Sequence, residues 1–448
     1  MADFLSQVAL RADRYLRGLD ARSVAPVQQA LDCLAVLDEP LAEGPTTPDA
    51  VIDLLDRIGS PATVASAGGR FFGFVHGGCL PAALAANWLA GAWDQNAVLF
   101  ATSPIASRLE EVAQRWLAEL LDMPEGCGVA FVTGATMASF TCLAAARTAM
   151  LERLGWDVEA DGLYGAPPLT VVIGEETHPS VTKALGLLGL GRRRVIRVPA
   201  DDQGRMCAEV FPALSPAAIV CVQAGNVNTG SVDPVGRICE LAHATGAWVH
   251  VDGAFGLWAK ASPSLAPLVA GVEQADSWAT DAHKWLNVPY DSGLAMVRES
   301  TVLGRAMTLK AAYIPTGARR DPGQFTPELS RRARGVEIWA ALRSLGKTGL
   351  AAMIERTCAH ARRFSSGLRS AGCEILNDVV LNQVLVSFGD AETTLRVIDR
   401  IQREGTCWCG PTTWQGRTAM RISVASWATT AEDVERSLEA MLRAWREV

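Results

Sequence analysis

Residues 247–255, AWVHVDGAF, form a short apolar run that ends on an aspartate and a glycine. Such a run, rich in β-branched and aromatic side chains and stopped by glycine, reads as a buried strand. The strand would carry Asp252 at its end and His250 two positions earlier. A carboxylate at that depth needs a partner. A structural hydrogen bond would satisfy it, and so would a cationic ring nitrogen.

The same pattern repeats on both sides of this stretch. VAFVT (129–133), LTVVIG (169–174), AIVCVQAG (218–225) and GLAMVR (293–298) are further apolar runs. Helical stretches such as MASFTCLAAARTAMLERLG (137–155) and DPVGRICELAHATG (233–246) separate them. Apolar strands alternating with helices predict an α/β fold, a mainly parallel sheet covered on both faces. Upstream, Thr47 followed by Pro48 predicts one helix start, and Ser103 followed by Pro104 predicts another. Past residue 335 the order changes to long helices with alternating strands such as NQVLVSF (382–388) and TAMRISV (418–424). The predicted organisation is an N-terminal helical arm over 1–65, a large α/β domain over 66–325 and a small C-terminal α+β domain over 326–448.

The chain has 448 residues, 49% hydrophobic and 20% charged, with 48 acidic against 41 basic residues and a net charge of −7. That composition is that of a folded chain rather than a disordered one. Its densest basic run, GRRRVIR (191–197), is too short to suggest nucleic acid and reads as a solvated loop. No stretch approaches the roughly 18 apolar residues of a membrane helix, and the first twenty residues hold no continuous apolar core of a secretory signal. Eleven scattered cysteines fit reduced thiols better than a disulfide framework. CWC (407–409) lacks the spacing of a zinc or redox site and reads as structural. These features together predict a cytoplasmic protein with no metal, membrane or nucleic-acid partner.

Ligands of open α/β sheets bind at the carboxyl ends of the strands, and four such ends carry chemistry. FVTGATMAS (131–139) is a strand, a tight turn and a helix start, where free N–H groups and the Thr136 hydroxyl would suit a phosphate. An ordinary strand–helix turn is the alternative. GEETHPSVTKA (174–184) puts His178 between a strand and a helix, able to stack on a flat ring or move a proton, or simply to sit in a loop. Asp252 is the third. The fourth is Lys284 in TDAHKW (280–285), where a half-buried lysine loses basicity and becomes a usable amine nucleophile. A buried aspartate for a pyridinium nitrogen, a lysine for an imine and a phosphate turn jointly describe pyridoxal 5'-phosphate (PLP).

From about Arg70 to the C-terminus the sequence resembles the group II PLP-dependent amino acid decarboxylases, which act on aromatic amino acids, histidine and glutamate. THPSVTKA (177–184), HVDGAFG (250–256) and DAHKWLNVPYDSG (281–293) carry the resemblance, in the family's order. It implies a type I aminotransferase-like fold and a homodimer with sites at its interface. By position, Lys284 would bind PLP as an imine, Asp252 would hold the ring nitrogen protonated, and His178 and Ala254 would pack the two ring faces. Gly134, Ala135, Thr136 and His283 would hold the phosphate, with Asp281 close by. The loop GNVNTGSVD (225–233) would approach the ring hydroxyl through Asn228 and Thr229. The departures are Ala282 where the family often has proline, and TGAT (133–136) in place of a serine- or glycine-rich turn.

On the substrate side, RFFGFVHGG (70–78) resembles the family's pocket-lining segment and marks Phe74, Val75 and His76, although an aromatic cluster also serves packing. AMRISVAS (419–426) resembles a strand whose arginine binds the substrate carboxylate, which points to Arg421, with a surface salt bridge as the alternative. PELSRRARG (327–335) suggests that Ser330 reaches the neighbouring subunit's phosphate. In the preceding loop, Phe325 best matches the family's proton-donating tyrosine. It either lengthens the life of the carbanionic intermediate, favouring aldehyde, or closes an apolar lid. Tyr313 and His178 are the other candidate donors. The expected function is decarboxylation of an L-amino acid, with an aromatic one among the options, to its amine. Decarboxylation with oxidative deamination to an aldehyde, or another PLP reaction, is the alternative.

Overall fold

The five apolar runs pair with two further strands in a seven-stranded sheet, one of them at the end of GRRRVIR, which the sequence had suggested was a loop. Its strands are β1 (Gly128–Val132), β2 (Thr170–Gly174), β3 (Val195–Val198), β4 (Ala218–Gln223), β5 (Trp248–Asp252), β6 (Ser277–Asp281) and β7 (Gly293–Val297). Across the sheet the order is β1-β7-β6-β5-β4-β2-β3. The five strands β3, β2, β4, β5 and β6 run parallel, and β7 is antiparallel to both its neighbours. Two reversals return β1 to the direction of β6, so the ends of β1, β4, β5 and β6 share one edge. Every residue of β1, β4, β5, β6 and β7 is buried, as expected of a sheet covered on both faces.

The computed structural model describes residues 2–309 and 319–448. They form two compact units, Gly77–Ala359 with Asn377–Gln383, and Met1–His76 with His360–Leu376 and Val384–Val448. The large unit's core lies between the sheet and the helix Ala135–Arg153, which buries Ala138, Cys142, Leu143, Ala145, Ala146, Ala149 and Met150. Its alanines let the helix sit close, while each buried Leu, Val or Met contributes about 1.5–3 kcal/mol. Ser103 accepts the Ala106 N–H at 3.3 Å and Thr47 that of Ala50 at 3.4 Å, so both predicted helix starts form.

The second unit holds an antiparallel sheet, with β8 (Glu374–Ile375), β9 (Gln383–Ser387), β10 (Gly410–Trp414) and β11 (Arg417–Ser423) in the order β10-β11-β9-β8. Helices Ala391–Glu404 and Ala431–Arg446 pack with it, the latter started by a Thr430–Asp433 capping box. N-terminal residues belong to this unit. Val24 donates to Gly405 O at 2.8 Å, Phe72 to Trp408 O at 2.8 Å and Ser423 to Phe72 O at 2.9 Å. The divisions therefore fall at 76 and 359 rather than 65 and 325, because hydrogen bonds between sequence-distant segments bind the arm to the C-terminal strands. Residues 326–359 cluster with the large unit. The eleven cysteines form no disulfide, and Cys407 and Cys409 are buried. Among the described residues no helix is long and apolar enough to cross a membrane.

Candidate active site

The shared edge of the sheet opens on a cavity of about 360 Å³, within the range of small-ligand sites. Gly134, Ala135, Thr136, His178, Asp252, Ala254, Asp281, His283 and Lys284 all line it. Nine predicted positions, drawn from four strand ends, thus meet in one place.

Asp281, the last residue of β6, organises one wall. Its Oδ1 accepts the Ala135 N–H at 2.5 Å and lies 3.4 Å from His283 Nε2, and its Oδ2 lies 3.0 Å from Lys284 Nζ. The Asp281 backbone is held on both sides, since its N–H donates to Ala254 O and its carbonyl accepts the Trp258 indole, each at 2.9 Å. His283 Nδ1 accepts the Ser292 N–H at 3.0 Å, which places the neutral ring's proton on Nε2. Burial lowers the His283 pKa, against the pull of Asp281, and Tyr290 stacks on its ring at 4.2 Å.

Lys284 is held through its backbone. A Cβ on Gly77 would stand 1.6 Å from Lys284 O, so only glycine lets that segment lie against the lysine. Asn287, at φ 57, donates its N–H to Lys284 O at 3.2 Å and its side-chain amide to Trp285 O at 3.0 Å. The Trp285 indole donates to Thr357 Oγ1 at 2.9 Å. The flexible four-carbon stem is the mobile part, and its amine reaches the cavity.

Opposite, Asp252 is 6% exposed. Burial pushes its carboxyl pKa up, and the positive charges of His178 and Lys284 oppose the rise. Oδ1 accepts the Ala254 N–H at 3.2 Å. His178 caps the helix Pro179–Leu187, with Nδ1 accepting the Ser180 N–H at 3.2 Å and lying 2.7 Å from Ser180 Oγ. When the ring is neutral its proton therefore sits on Nε2.

These residues fit PLP. The helix Ala135–Arg153 begins with N–H groups at the Gly134 turn, where an added Cβ would crowd His283 Cε1 at 3.1 Å, and such a cradle suits a phosphate. A buried carboxylate suits a ring N–H, an amine suits an aldehyde, and His178 and Ala254 can face a flat ring. Asn226, between the lining residues Gly225 and Val227 though not itself lining the cavity, carries a donor that the sequence reading missed. It is 1% exposed, and its Nδ2 has no partner among the described residues. The first asparagine of GNVNTGSVD was the available signal.

Other predicted positions fall elsewhere. Asn228 and Thr229 do not line the cavity. Thr229 Oγ1 is bonded to Gln203 O at 2.7 Å and Ser231 Oγ at 2.9 Å, closing its own turn. Asn228 donates its N–H to Asn226 Oδ1 at 2.8 Å. Phe325 does not line this chain's cavity either: its ring packs on the large unit's core, with the Arg320 guanidinium 4.1 Å above it. Ser330 is exposed, accepts from Asn96 Nδ2 at 3.2 Å and does not line this chain's cavity. Tyr313 lies outside the described residues.

Phe74, Val75, His76 and Arg421 belong to the second unit. Phe74 and Val75 both have left-handed backbones, at φ 55 and 58, a strained choice for a β-branched residue. Phe74 is 63% exposed and tilts against Trp408, which stacks on Phe71 at 5.0 Å, while Val75 is buried and His76 meets Phe71 edge-on. Arg421 is half-buried on β11, and this burial lowers its pKa.

Comparison with known proteins agrees with this geometry. The pyridoxal-dependent decarboxylase conserved domain matches residues 34–389. Tryptophan decarboxylase 1 of Oryza sativa subsp. japonica is 29% identical over 399 residues, covering 80% of this chain and 76% of the relative. The aromatic-L-amino-acid decarboxylase of Bacillus atrophaeus is 24% identical over 389 residues, covering 82% and 78%. The crystal structure of Oryza sativa TDC with PLP and tryptamine superposes with a TM-score of 0.89 at 23% identity, covering 100% of this chain and 97% of that one. At that identity the likeness is one of fold.

Proposed function

Since the chain belongs to the pyridoxal-dependent decarboxylase family, whose members are PLP-dependent carboxy-lyases, we propose that it converts an aromatic L-amino acid to its amine and carbon dioxide, as a homodimer. The observation that carries this reading is the convergence of Lys284, Asp252 and His178 on one cavity. The two relatives named for tryptophan and aromatic substrates support the side-chain class.

Bound PLP would supply an electron sink for the pair released when the Cα–carboxylate bond breaks. Lys284 would carry it, with the amine free to leave Asp281 because the stem is flexible and the backbone is not. Asp252 would keep a positive charge at the ring nitrogen, and burial strengthens that pairing. The Gly134–Thr136 turn and His283 would hold the phosphate. Asn226 Nδ2 would donate to the cofactor. His178 would cover one ring face and hold a proton at Nε2, the position from which it could return one to the product carbon. Phe74, Val75, His76 and Arg421 are the proposed substrate contacts.

Holoenzyme assayed against a panel of L-amino acids, with amine, aldehyde, oxygen and peroxide quantified, tests the proposal. Aromatic substrates should be turned over fastest, giving amine without oxygen uptake. Preference for an acidic or aliphatic substrate would refute the class, and aldehyde with peroxide would refute the product.

A further inference from the structure

Among the described residues β1 is the edge strand of the large sheet, paired only with β7. In an antiparallel pair alternate residues turn their carbonyls to the open side. Val129 and Phe131, two apart, do so, and each meets a guanidinium. Arg320 Nη2 donates to Val129 O at 2.6 Å and Arg331 Nη1 to Phe131 O at 3.1 Å. Arg331 is buried against Glu110 of the helix Pro104–Leu120, both side chains 1% exposed. Its backbone is pinned too, its carbonyl accepting the Ala97 N–H at 3.0 Å and its N–H donating to Asn96 Oδ1 at 3.2 Å.

Covering a free edge explains part of this, but one polar chain would do that without burying charge. Replacing a buried ion pair by apolar residues is often neutral or stabilising, so its presence is weak ground for a stability role. Its location is more telling. Phe131 is followed by Val132 and then by Thr133, the first cavity-lining residue of the phosphate turn. On the far side Gly293 of β7 lies backbone to backbone with Gly134, where an added Cβ would fall 2.4 Å from Gly134 Cα. The turn is thus held between β7 and a strand whose outer edge is fixed by Arg331.

We propose that Arg331 is a positioning residue for the cofactor phosphate. Its fork bridges Glu110 and Phe131 O, and so fixes the height at which the Thr136 N–H and hydroxyl meet the phosphate. The inference rests on PLP as the cofactor. Pyridoxal, which lacks the phosphate, supplies the control, because a general defect would weaken both ligands while a misplaced turn weakens only PLP.

Dissociation constants for PLP and pyridoxal are measured on the full chain in wild type, Arg331→Lys and the double variant Glu110→Leu/Arg331→Met. Lysine keeps the charge but cannot bridge two acceptors as the planar fork does. The double variant removes the buried pair outright, and it alone is read if the lysine variant does not fold. In both, PLP should bind roughly tenfold more weakly, the loss of one charge-assisted hydrogen bond, with pyridoxal unchanged. Equal weakening of both ligands, or no change in either, would overturn the proposal. Wild-type protein that binds PLP no tighter than pyridoxal would instead remove the cofactor premise.

Discussion

Replacing Asp252 with asparagine should move activity and stability in opposite directions. Asp252 is 6% exposed, and burial raises its carboxyl pKa against the opposing charges of His178 and Lys284. A folded-state pKa above the unfolded value means that the ionised carboxylate destabilises the fold at pH values above the unfolded pKa. That penalty disappears as pH falls below it. In cofactor-free protein at neutral pH the neutral amide removes the penalty while keeping the side chain's shape. The melting temperature should rise, by on the order of a few degrees. With PLP bound, the same change removes the fixed anion from the ring nitrogen. Losing one preorganised electrostatic partner lowers turnover by about 10²-fold or more. Calorimetry with and without PLP, beside steady-state rates, gives both quantities. Near wild-type turnover in Asp252→Asn would refute the pairing with the ring. A fall in cofactor-free stability would show that the charges of His178 and Lys284 outweigh the burial penalty of the ionised carboxylate.

Thr229→Val should destabilise the protein by about 1–3 kcal/mol, since the Gln203 carbonyl and Ser231 hydroxyl lose a buried partner. PLP affinity should be unchanged, and a selective loss of PLP in a folded variant would return Thr229 to the cofactor site. Phe325→Tyr should leave the product ratio unchanged, because the ring packs on the core rather than in the cavity. Phe325→Ala should cost about 2 kcal/mol in denaturant unfolding, less than the roughly 3–5 of a fully buried phenylalanine because the ring is only partly buried, and a shift of product in either variant would contradict that placement. Static light scattering should give twice the chain mass at assay concentrations, and a fully active monomer would refute the homodimer.

The legible parts of the molecule were those whose signal is local. Most buried strands read as continuous apolar runs, and chemistry-bearing residues stood at or past the ends of four strands. Asp252, His178, Lys284 and the Gly134 turn could therefore be placed before any coordinates. What could not be read depends on contacts between distant segments. Nothing in GLAMVR (293–298) says that β7 is antiparallel and separates β1 from β6. Gly77 lies against Lys284 O, and Arg331 reaches Phe131 O, across stretches that periodicity does not span. Thr229 and Asn226 share one loop, and only the hydrogen bonds show that both close the turn while the Asn226 amide nitrogen is left without a partner among the described residues. Phe325 was aligned to a family position by a match in a short loop, and its packing on the core was not legible there.

The most direct test of the account follows the carboxyl carbon of the substrate. Holoenzyme and a Lys284→Ala variant are incubated with an aromatic L-amino acid labelled with carbon-13 at its carboxyl group, and the label is traced. Wild type should release one labelled carbon dioxide and one amine for each substrate consumed, and the variant should release neither. Labelled carbon retained in an organic product, or wild-type release rates in the variant, would contradict the assignment of this cavity as a decarboxylase site built on Lys284.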